Sequence, residues 1–326
     1  MSDLRTAVRE ATARLAQAGI PSPEVDAVEL AAHALRVEPS EVRRLLVLGA
    51  QEPPSYAGLV AERATRVPLQ HLTGRAHFRR ITLAVWPGVF VPRPETEVTA
   101  GLAIDAASGA GPQPLVVDLC TGSGAIALAV KDELPGATVL AVELSDLAHG
   151  WAVANRDRLG LDVDVRLGDA RTAFDELEGA VDVVVSNPPY IPVGAVPNDP
   201  EVRDHDPEVA LYGGSADGLA IPVAVAARAA VLLRAGGVLV MEHADSQGRT
   251  LPQALRASGQ WVEVVDHTDL GGRPRTTVAV RAASARVRGV PSQRLLVARS
   301  PDRGPSPRLS ANRVMMELPW RPSTSL

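Results

Sequence analysis

The chain has 326 residues, 46% of them hydrophobic, and a formal net charge of −5 at pH 7. This length allows a large core and two domains, and the composition is that of an ordinary globular protein rather than a disordered or fibrous one. Cys120 is the only cysteine, which excludes an intrachain disulfide; with seven scattered histidines, the sequence predicts no metal site.

Charge is unevenly distributed along the chain. From Arg281 to Leu326 there are nine arginines against Asp302 and Glu317, about +7, which leaves about −12 on the preceding residues. A protein that grips phosphate backbones needs a basic face, so this acidic body argues against a main role in binding nucleic acid. The sequence shows neither a membrane-length apolar run nor a signal-peptide pattern, so we expect a cytoplasmic protein that does not enter a membrane.

Residues 1–67 have apolar positions at helical spacing, which predicts a small helical domain. Ser22 before Pro23 predicts a helix cap followed by proline at the first helical position, and Ser40 predicts a second cap. This segment contains no catalytic constellation, which suits packing or partner recognition. Residues 68–92 alternate in polarity and contain turn residues, which predicts a linking β-hairpin.

A buried strand is predicted at residues 115–119, followed by the small-residue turn from Cys120 to Gly124 and then a helix. Small residues allow a ligand to approach the backbone closely at a helix N-terminus. The dinucleotide fingerprint requires a third glycine where Ala127 stands. The acid Asp118 ahead of the turn suits a nucleoside ligand with a cationic amino acid portion, although the turn alone does not establish this ligand.

Two further acids follow predicted strands. The strand at residues 138–142 ends in Glu143, which is placed to accept hydrogen bonds from both hydroxyls of a ribose. The strand at residues 163–167 is followed by Asp169, which could reach the amino group of adenine. Each acid, taken singly, is also compatible with an ordinary solvated turn residue.

The segment from Val181 to Ser186 is rich in valine and predicts a strand that is buried on both faces. It ends at Asn187, before Pro188 and Pro189, which have no N–H and leave the turn rich in carbonyl acceptors. Ligands of open α/β sheets bind at the carboxyl ends of strands. Such a pocket suits a planar NH2 group, although a polar turn that merely ends a strand has the same sequence.

The alternation of strands and helices continues to residue 281 and predicts an α/β fold with a doubly wound, mostly parallel seven-stranded sheet over residues 93–283. Residues 191–212 are too long for an ordinary connection and are a candidate lid. Residues 275–281 are expected to form an antiparallel edge strand. Residues 284–326 predict a disordered basic tail to which we assign no function.

With its acid-led Gly-x-Gly turn, its second-strand acid and Asn-Pro-Pro-Tyr after the fourth strand, the chain resembles the class I S-adenosylmethionine-dependent (Rossmann-like) methyltransferases. A narrower resemblance, to the peptide chain release factor N5-glutamine methyltransferases (the PrmC/HemK family), covers about residues 10–280. It also includes Arg66 to Gly74, Phe78, Pro92 to Glu97, Asp206 to Leu211, Asp217 to Leu219 and Asp269 to Arg273.

The resemblance implies S-adenosyl-L-methionine-dependent methylation of the glutamine of the Gly-Gly-Gln motif in class I release factors, which supports translation termination. It implies a monomer that requires no nucleic acid. The catalytic residues would be Asn187, Pro188 and Tyr190, and Pro189, Phe78 and Arg93 would join them in binding substrate. The cofactor would be bound by Asp118, Cys120, Thr121, Gly122, Ser123, Gly124, Glu143, Asp169, Ala170 and Asn187.

Three positions depart from the family pattern: Cys120 replaces a glycine, Glu143 replaces an aspartate, and Ala170 replaces an aromatic residue that covers adenine. The first two preserve the chemistry, whereas the third is expected to weaken stacking on the cofactor.

Two other functions are compatible with parts of this pattern. Methyltransferases that modify adenine N6 or guanine N2 in DNA or ribosomal RNA share Asn-Pro-Pro-Tyr, but the acidic body and the segments outside the core argue against them. A catalytically silent paralogue could bind a translation factor as a scaffold. The intact Asp118, Gly122, Gly124 and Asn187 argue against that alternative.

Overall fold

The computed structural model describes residues 3–283, and the predicted basic tail at residues 284–326 lies outside them. Five helices come first, followed by an antiparallel hairpin. Their bounds are α1 (Leu4–Gln17), α2 (Pro23–Leu35), α3 (Pro39–Leu48), α4 (Tyr56–Arg63), α5 (Leu69–Thr73), β1 (Arg75–Phe78) and β2 (Ile81–Ala84).

The N-terminal helices have a hydrophobic core of their own, as the helical spacing predicted. Tyr56 lies in this core and donates its hydroxyl to the carbonyl of Ala27 at 2.9 Å, so its polar end is satisfied. The predicted cap at Ser40 is wrong. Glu38 is the cap, and helix α3 begins at Pro39, two residues earlier than predicted, because the fixed φ of proline suits the first helical position. The functional division of the chain at residues 67 and 92 stays a prediction.

The remaining elements build a seven-stranded sheet with the order β5-β4-β3-β6-β7-β9-β8. The helices are α6 (Thr96–Ala110), α7 (Ala125–Glu133), α8 (Asp146–Leu159), α9 (Pro200–His205), α10 (Ala220–Leu232) and α11 (Thr250–Ala257). The strands are β3 (Leu115–Leu119), β4 (Thr138–Glu143), β5 (Val163–Leu167), β6 (Val181–Ser186), β7 (Leu233–Glu242), β8 (Trp261–Thr268) and β9 (Pro274–Arg281).

Strand β9 is antiparallel, as predicted, but its predicted edge position is wrong. It pairs with β7 on one side and with β8 on the other, so β8 forms the edge. The reason is burial: Thr276, Thr277 and Ala279 of β9 are fully buried, whereas Val262 of β8 is 70% exposed. The strand with polar, exposed positions is therefore the one that faces solvent.

Helices cover both faces of this sheet. Successive residues of β3 point to opposite faces, and Val116 and Val117 accordingly belong to two different hydrophobic cores. Helices α6, α7 and α8 pack on one face, and α10 and α11 pack on the other. This double coverage explains the valine-rich strands. Among residues 3–283, no helix has both the length and the apolar character needed to cross a membrane.

The register of the sheet aligns the ends of four strands. Leu119 pairs with Val142 and with Ser186, and Ser186 pairs with Met241. The residues that follow these four aligned positions therefore lie in one row at the carboxyl edge of the sheet. They are Cys120, Glu143, Asn187 and Glu242. The chain leaves β3 and β6 in opposite directions, and the gap between these strands is where doubly wound folds bind ligands.

Candidate active site

A cavity of about 540 Å³ opens at this edge of the sheet. Its volume lies within the usual range for small-molecule sites. Most of the site residues predicted from the sequence line it, namely Arg93, Cys120, Thr121, Gly122, Ser123, Glu143, Asp169, Ala170, Asn187, Pro189 and Tyr190.

Four predicted residues do not line the cavity. Asp118 and Pro188 are buried behind it, and Gly124 begins helix α7 in a left-handed conformation (φ +87°). A Cβ on Gly124 would lie 2.9 Å from Leu128, so a larger residue would clash. The structure does not bring Phe78 to the cavity, because its side chain is buried in the core between the hairpin and the sheet.

Asp118 braces the Cys120–Gly124 turn from inside the protein. Its Oδ2 accepts hydrogen bonds from Thr121 Oγ1 at 2.6 Å and from the backbone N–H of Ala127 at 3.1 Å. Burial raises the pKa of Asp118 to about 7, although these two hydrogen bonds oppose the shift. Asp118 thus ties the turn to the first turn of α7, and its effect on a ligand is indirect.

Glu143 holds the same turn from the neighbouring strand. Its Oε2 accepts from the backbone N–H of Gly122 at 2.8 Å, and its Oε1 accepts from that of Ser145 at 2.9 Å. A carboxylate has about four acceptor positions, so each oxygen can accept one further hydrogen bond from a ligand. Glu143 therefore couples the shape of the turn to ligand binding.

The turn leaves room for a ligand beside Gly122. Its φ is +58°, and a Cβ added there would meet no atom of the described residues within 4 Å. Cys120 also has a left-handed backbone (φ +66°), which is uncommon outside glycine. The backbone of the turn is thus open to the cavity at Gly122, while the hydrogen bonds of Asp118 and Glu143 hold the turn in place.

Asp169 and Ala170 form a further part of the cavity wall. Arg171 donates its backbone N–H and its Nε to Asp169 Oδ1 at 2.9 Å each, and its Nη2 to Oδ2 at 2.6 Å. The side-chain bond to Arg171 is the main reason that the pKa of Asp169 is lowered, which keeps this acid ionised. Arg171 also lines the cavity and was not predicted from the sequence.

Asn187 and Tyr190 belong to a buried polar network that the sequence did not predict. Asn187 donates its Nδ2 to Thr96 Oγ1 at 3.4 Å, so the Oδ1 end of the amide is the part that a ligand can meet. The Tyr190 hydroxyl donates to Oε1 of Glu242 at 3.5 Å. Thr99 donates to Oε2 of Glu242 at 3.1 Å.

A second contact fixes the backbone of Tyr190. Gln247 is buried and donates its Nε2 to the carbonyls of Tyr190 at 3.0 Å and Asp217 at 2.8 Å. A Cβ on Gly218 would lie 2.1 Å from the Tyr190 carbonyl oxygen, so only glycine allows this approach. The Asp217–Leu219 segment therefore supports the Asn-Pro-Pro-Tyr turn from behind.

The candidate lid connects the cavity to the N-terminal helices. Asp199 and Val202 line the cavity, and buried Arg63 donates to Glu201 at 2.9 Å and to Asp26 of α2 at 2.7 Å. Nearer the cavity, Arg93 donates to Asp206 Oδ2 at 2.6 Å. Burial raises the pKa of Asp206, and Arg93 partly offsets that shift.

Together, the seven-stranded sheet with one antiparallel strand, the glycine turn after β3, the acid after β4 and the cavity at the switch point define a class I S-adenosylmethionine-dependent methyltransferase fold. Comparisons with known proteins agree with this class. Residues 6–74 match the PrmC N-terminal domain, and residues 82–197 match the methyltransferase small domain.

Relatives at high identity narrow the family. A release factor glutamine methyltransferase of Streptomyces coelicolor is 50% identical over 284 residues, which cover 86% of this chain and 99% of that protein. One from Mycolicibacterium smegmatis is 46% identical over 288 residues and covers 87% and 99%, respectively. The chain belongs to the release factor glutamine methyltransferase family.

One relative carries a different activity in its name. The 4-amino-L-phenylalanine/4-methylamino-L-phenylalanine methyltransferase of Streptomyces pristinaespiralis is 42% identical over 264 residues, which cover 79% of this chain and 89% of that protein. Relatives at this level of identity thus include enzymes whose names give two kinds of substrate, namely a glutamine of a release factor and an aromatic amine.

Proposed function

We propose that this enzyme transfers a methyl group from S-adenosyl-L-methionine to the side-chain amide nitrogen of the glutamine in the Gly-Gly-Gln motif of class I release factors. The observation that carries the proposal is the arrangement at the end of β6. Asn187 lines the cavity with its Nδ2 bonded to Thr96, and the following prolines have no N–H. The ligand therefore meets acceptors, which suits an NH2 group.

The residues of this turn address the weak nucleophilicity of an amide nitrogen, whose lone pair is delocalised into its carbonyl. The two N–H groups of the substrate donate to Asn187 Oδ1 and to the carbonyl of Pro188, which fixes the nitrogen. The ring of Tyr190 packs against the plane of the amide. Holding reacting atoms in place contributes several kcal/mol, on the order of 7–11 for well-aligned intramolecular reactions. The proton of the nitrogen leaves after transfer.

The cofactor, when bound, supplies an electrophilic methyl group on a sulfonium. The chain fits it, since the open space beside Gly122 admits a ligand and the carboxylates of Glu143 and Asp169 line the same cavity. Glu143 would accept from the ribose hydroxyls, and Asp169 would accept from the adenine amino group. Ala170 offers a small apolar surface to the adenine. The Cys120–Gly124 turn, braced by Asp118, receives the amino acid portion.

The second candidate substrate is a small aromatic amine, because the Streptomyces pristinaespiralis relative is named for that activity. An aromatic NH2 is also planar and has two N–H donors, so Asn187 and Pro188 suit it as well. The release factor proposal is preferred, since the relatives of that name match this chain at up to 50% identity over nearly their whole length. The nucleic-acid alternative gains no support from these relatives.

Competing substrates test the proposal directly. The full chain is incubated with methyl-labelled cofactor and, in separate reactions, a release factor, its Gly-Gly-Ala variant, 4-amino-L-phenylalanine, DNA and ribosomal RNA. We expect label on the release factor alone. Transfer to the amine or to nucleic acid would replace the proposal, and cofactor binding without any transfer would favour the scaffold alternative. We expect the enzyme to act as a monomer in the cytoplasm, where translation takes place.

A further inference from the structure

The carboxylate of Glu242 lies behind the Asn-Pro-Pro-Tyr turn, at the end of β7, with 1% of its surface exposed. It accepts from the hydroxyls of Thr99 at 3.1 Å and of Tyr190 at 3.5 Å. Thr96 lies three residues before Thr99, on the same face of α6. Hydrogen bonding by its side chain lowers the pKa of Glu242. Thr96 in turn accepts from Asn187 Nδ2. Glu242 is thus one hydroxyl away from the amide that meets the substrate, and it touches Tyr190 directly.

The chemistry of these groups gives the chain of hydrogen bonds a direction. An ionised carboxylate only accepts, so the single proton of the Thr96 hydroxyl points to Glu242. The Thr96 oxygen can then only accept a hydrogen bond from Asn187, so the NH2 group of Asn187 must face Thr96. The opposite end of the Asn187 amide, Oδ1, is thereby turned towards the cavity.

A neutral group at position 242 removes this constraint. A protonated acid, or glutamine in its place, can donate to Thr96, whose hydroxyl is then able to donate to Asn187 Oδ1. The amide of Asn187 can rotate by half a turn, and its NH2 group would then face the NH2 group of the substrate. Two sets of donors do not bond, and each is left without an acceptor in a buried site.

We propose that Glu242 is a positioning residue whose carboxylate, acting through the Thr96 hydroxyl, sets the orientation of the Asn187 amide so that Oδ1 accepts from the substrate nitrogen. The role of Oδ1 rests on the proposed function, whereas the orientation of the amide does not. Tyr190 is held by the same carboxylate, so one group organises both side chains of the turn.

The charged and titratable groups that face Glu242 come from three elements. Arg275 of β9 stabilises its ionised form, whereas Glu95, just before α6, opposes ionisation, and Tyr190 donates to it. Burial is the largest effect and raises the pKa of Glu242 to about 7. The fraction of enzyme with an ionised Glu242 therefore rises with pH in the neutral range.

The first test is Glu242→Gln, measured by single-turnover methylation of a release factor between pH 6 and 8.5. The wild-type rate should rise with pH through about 7, and the variant should be slower by about tenfold or more with a flat profile over that range. Cofactor affinity should change by no more than a few-fold, since Glu242 does not line the cavity. A variant with the wild-type rate and pH profile would overturn the proposal.

Stability separates positioning from a merely structural role. The folded-state pKa of Glu242 lies above its unfolded value, so this group stabilises the fold fully below the unfolded pKa and loses that contribution as pH rises through about 7. Glu242→Gln carries no such charge and should be at least as stable as wild type at pH 8. A large loss of stability there would make Glu242 a structural residue. Glu263→Gln, at an exposed position of β8, is the matched control and should change neither rate nor stability.

The second test is the pair Thr96→Val and Thr96→Ser. Valine has the shape of threonine without the hydroxyl, so it should reduce the rate by about tenfold or more, whereas serine keeps the hydroxyl and should restore most of it. Equal rates for the two variants would contradict the relay.

A third measurement does not depend on the substrate. In protein labelled with nitrogen-15 at asparagine, the side-chain NH2 resonance of Asn187, assigned by its loss in Asn187→Ala, should shift in Glu242→Gln and in Thr96→Val but not in Glu263→Gln. If the wild-type enzyme fails to methylate a release factor, the proposed function fails while this resonance still decides the orientation. An unshifted resonance in both variants would overturn the inference.

Discussion

Replacing Glu143 by alanine tests how the chain holds its cofactor. The sequence predicts a cofactor ligand whose loss leaves the fold unchanged, but the structure gives Glu143 a second role. Its two oxygens accept from the backbone N–H groups of Gly122 and Ser145. The variant therefore loses both the proposed contact with the ribose and the two bonds that shape the turn, so we expect weaker binding and lower stability together.

The magnitude follows from the number and type of these bonds. A hydrogen bond to a charged group is worth roughly 1.5–3 kcal/mol, and about 1.4 kcal/mol corresponds to a factor of ten in affinity. Loss of the ribose contact alone thus weakens binding by roughly tenfold to a hundredfold. The backbone N–H groups of Gly122 and Ser145 are partly exposed, so water can replace part of the hydrogen bonding that Glu143 supplied. We expect the free energy of unfolding to fall by about 1–3 kcal/mol.

Calorimetric titration with S-adenosyl-L-methionine measures the affinity of Glu143→Ala, and urea unfolding measures its stability. Asp146→Asn is the matched control, because Asp146 is an exposed acid three residues away that does not line the cavity. Unaltered affinity in Glu143→Ala would remove Glu143 from the cofactor site. Weakened binding at wild-type stability would refute the role given to its two backbone contacts.

Three further predictions concern substrate, lid and tail. Asn187→Ala should bind cofactor within a few-fold of wild type but lose at least ~100-fold in the rate of single-turnover methylation. A near-normal rate would contradict the catalytic role proposed for Asn187. Arg63→Met leaves Asp26 buried without its arginine, while Glu201 keeps its ion pair with Arg66. Urea unfolding should therefore show a loss of about 3 kcal/mol, and unchanged stability would contradict the buried pairing. A chain ending at Ala283 should melt at about the same temperature as the full chain and keep its turnover, and a large drop in either would contradict this prediction.

Much of the catalytic half was predictable, because its signals are local. The strand at residues 163–167 is confirmed with its predicted bounds, and the valine-rich strand, predicted to end in Asn187, ends one residue earlier at Ser186. Strands of a parallel sheet share one carboxyl edge, so acids and an asparagine that follow them meet there without any knowledge of side-chain contacts. Glu143, Asp169 and Asn187 were predicted in this way, and all three line the cavity.

The network behind Asn187 was not predictable from such signals. Thr96 enters from the start of a helix, and Thr276 reaches the network only because β9 inserts between β7 and β8. Nothing local in the sequence specifies that insertion. Glu242 had the same signal as Glu143, an acid at the end of a strand, and recognising β7 as the neighbour of β6 would have placed it beside Asn187. Phe78 was carried over from the resemblance alone, and the core holds it away from the cavity.

The most direct test of the account is to locate the transferred methyl group. The full chain is incubated with methyl-labelled S-adenosyl-L-methionine and a release factor, and the modified residue is identified by mass spectrometry of the release factor peptides. The account predicts one methyl group on the amide nitrogen of the Gly-Gly-Gln glutamine and no label when that glutamine is replaced by alanine. Label on any other residue, or label that persists on the alanine variant, would contradict it.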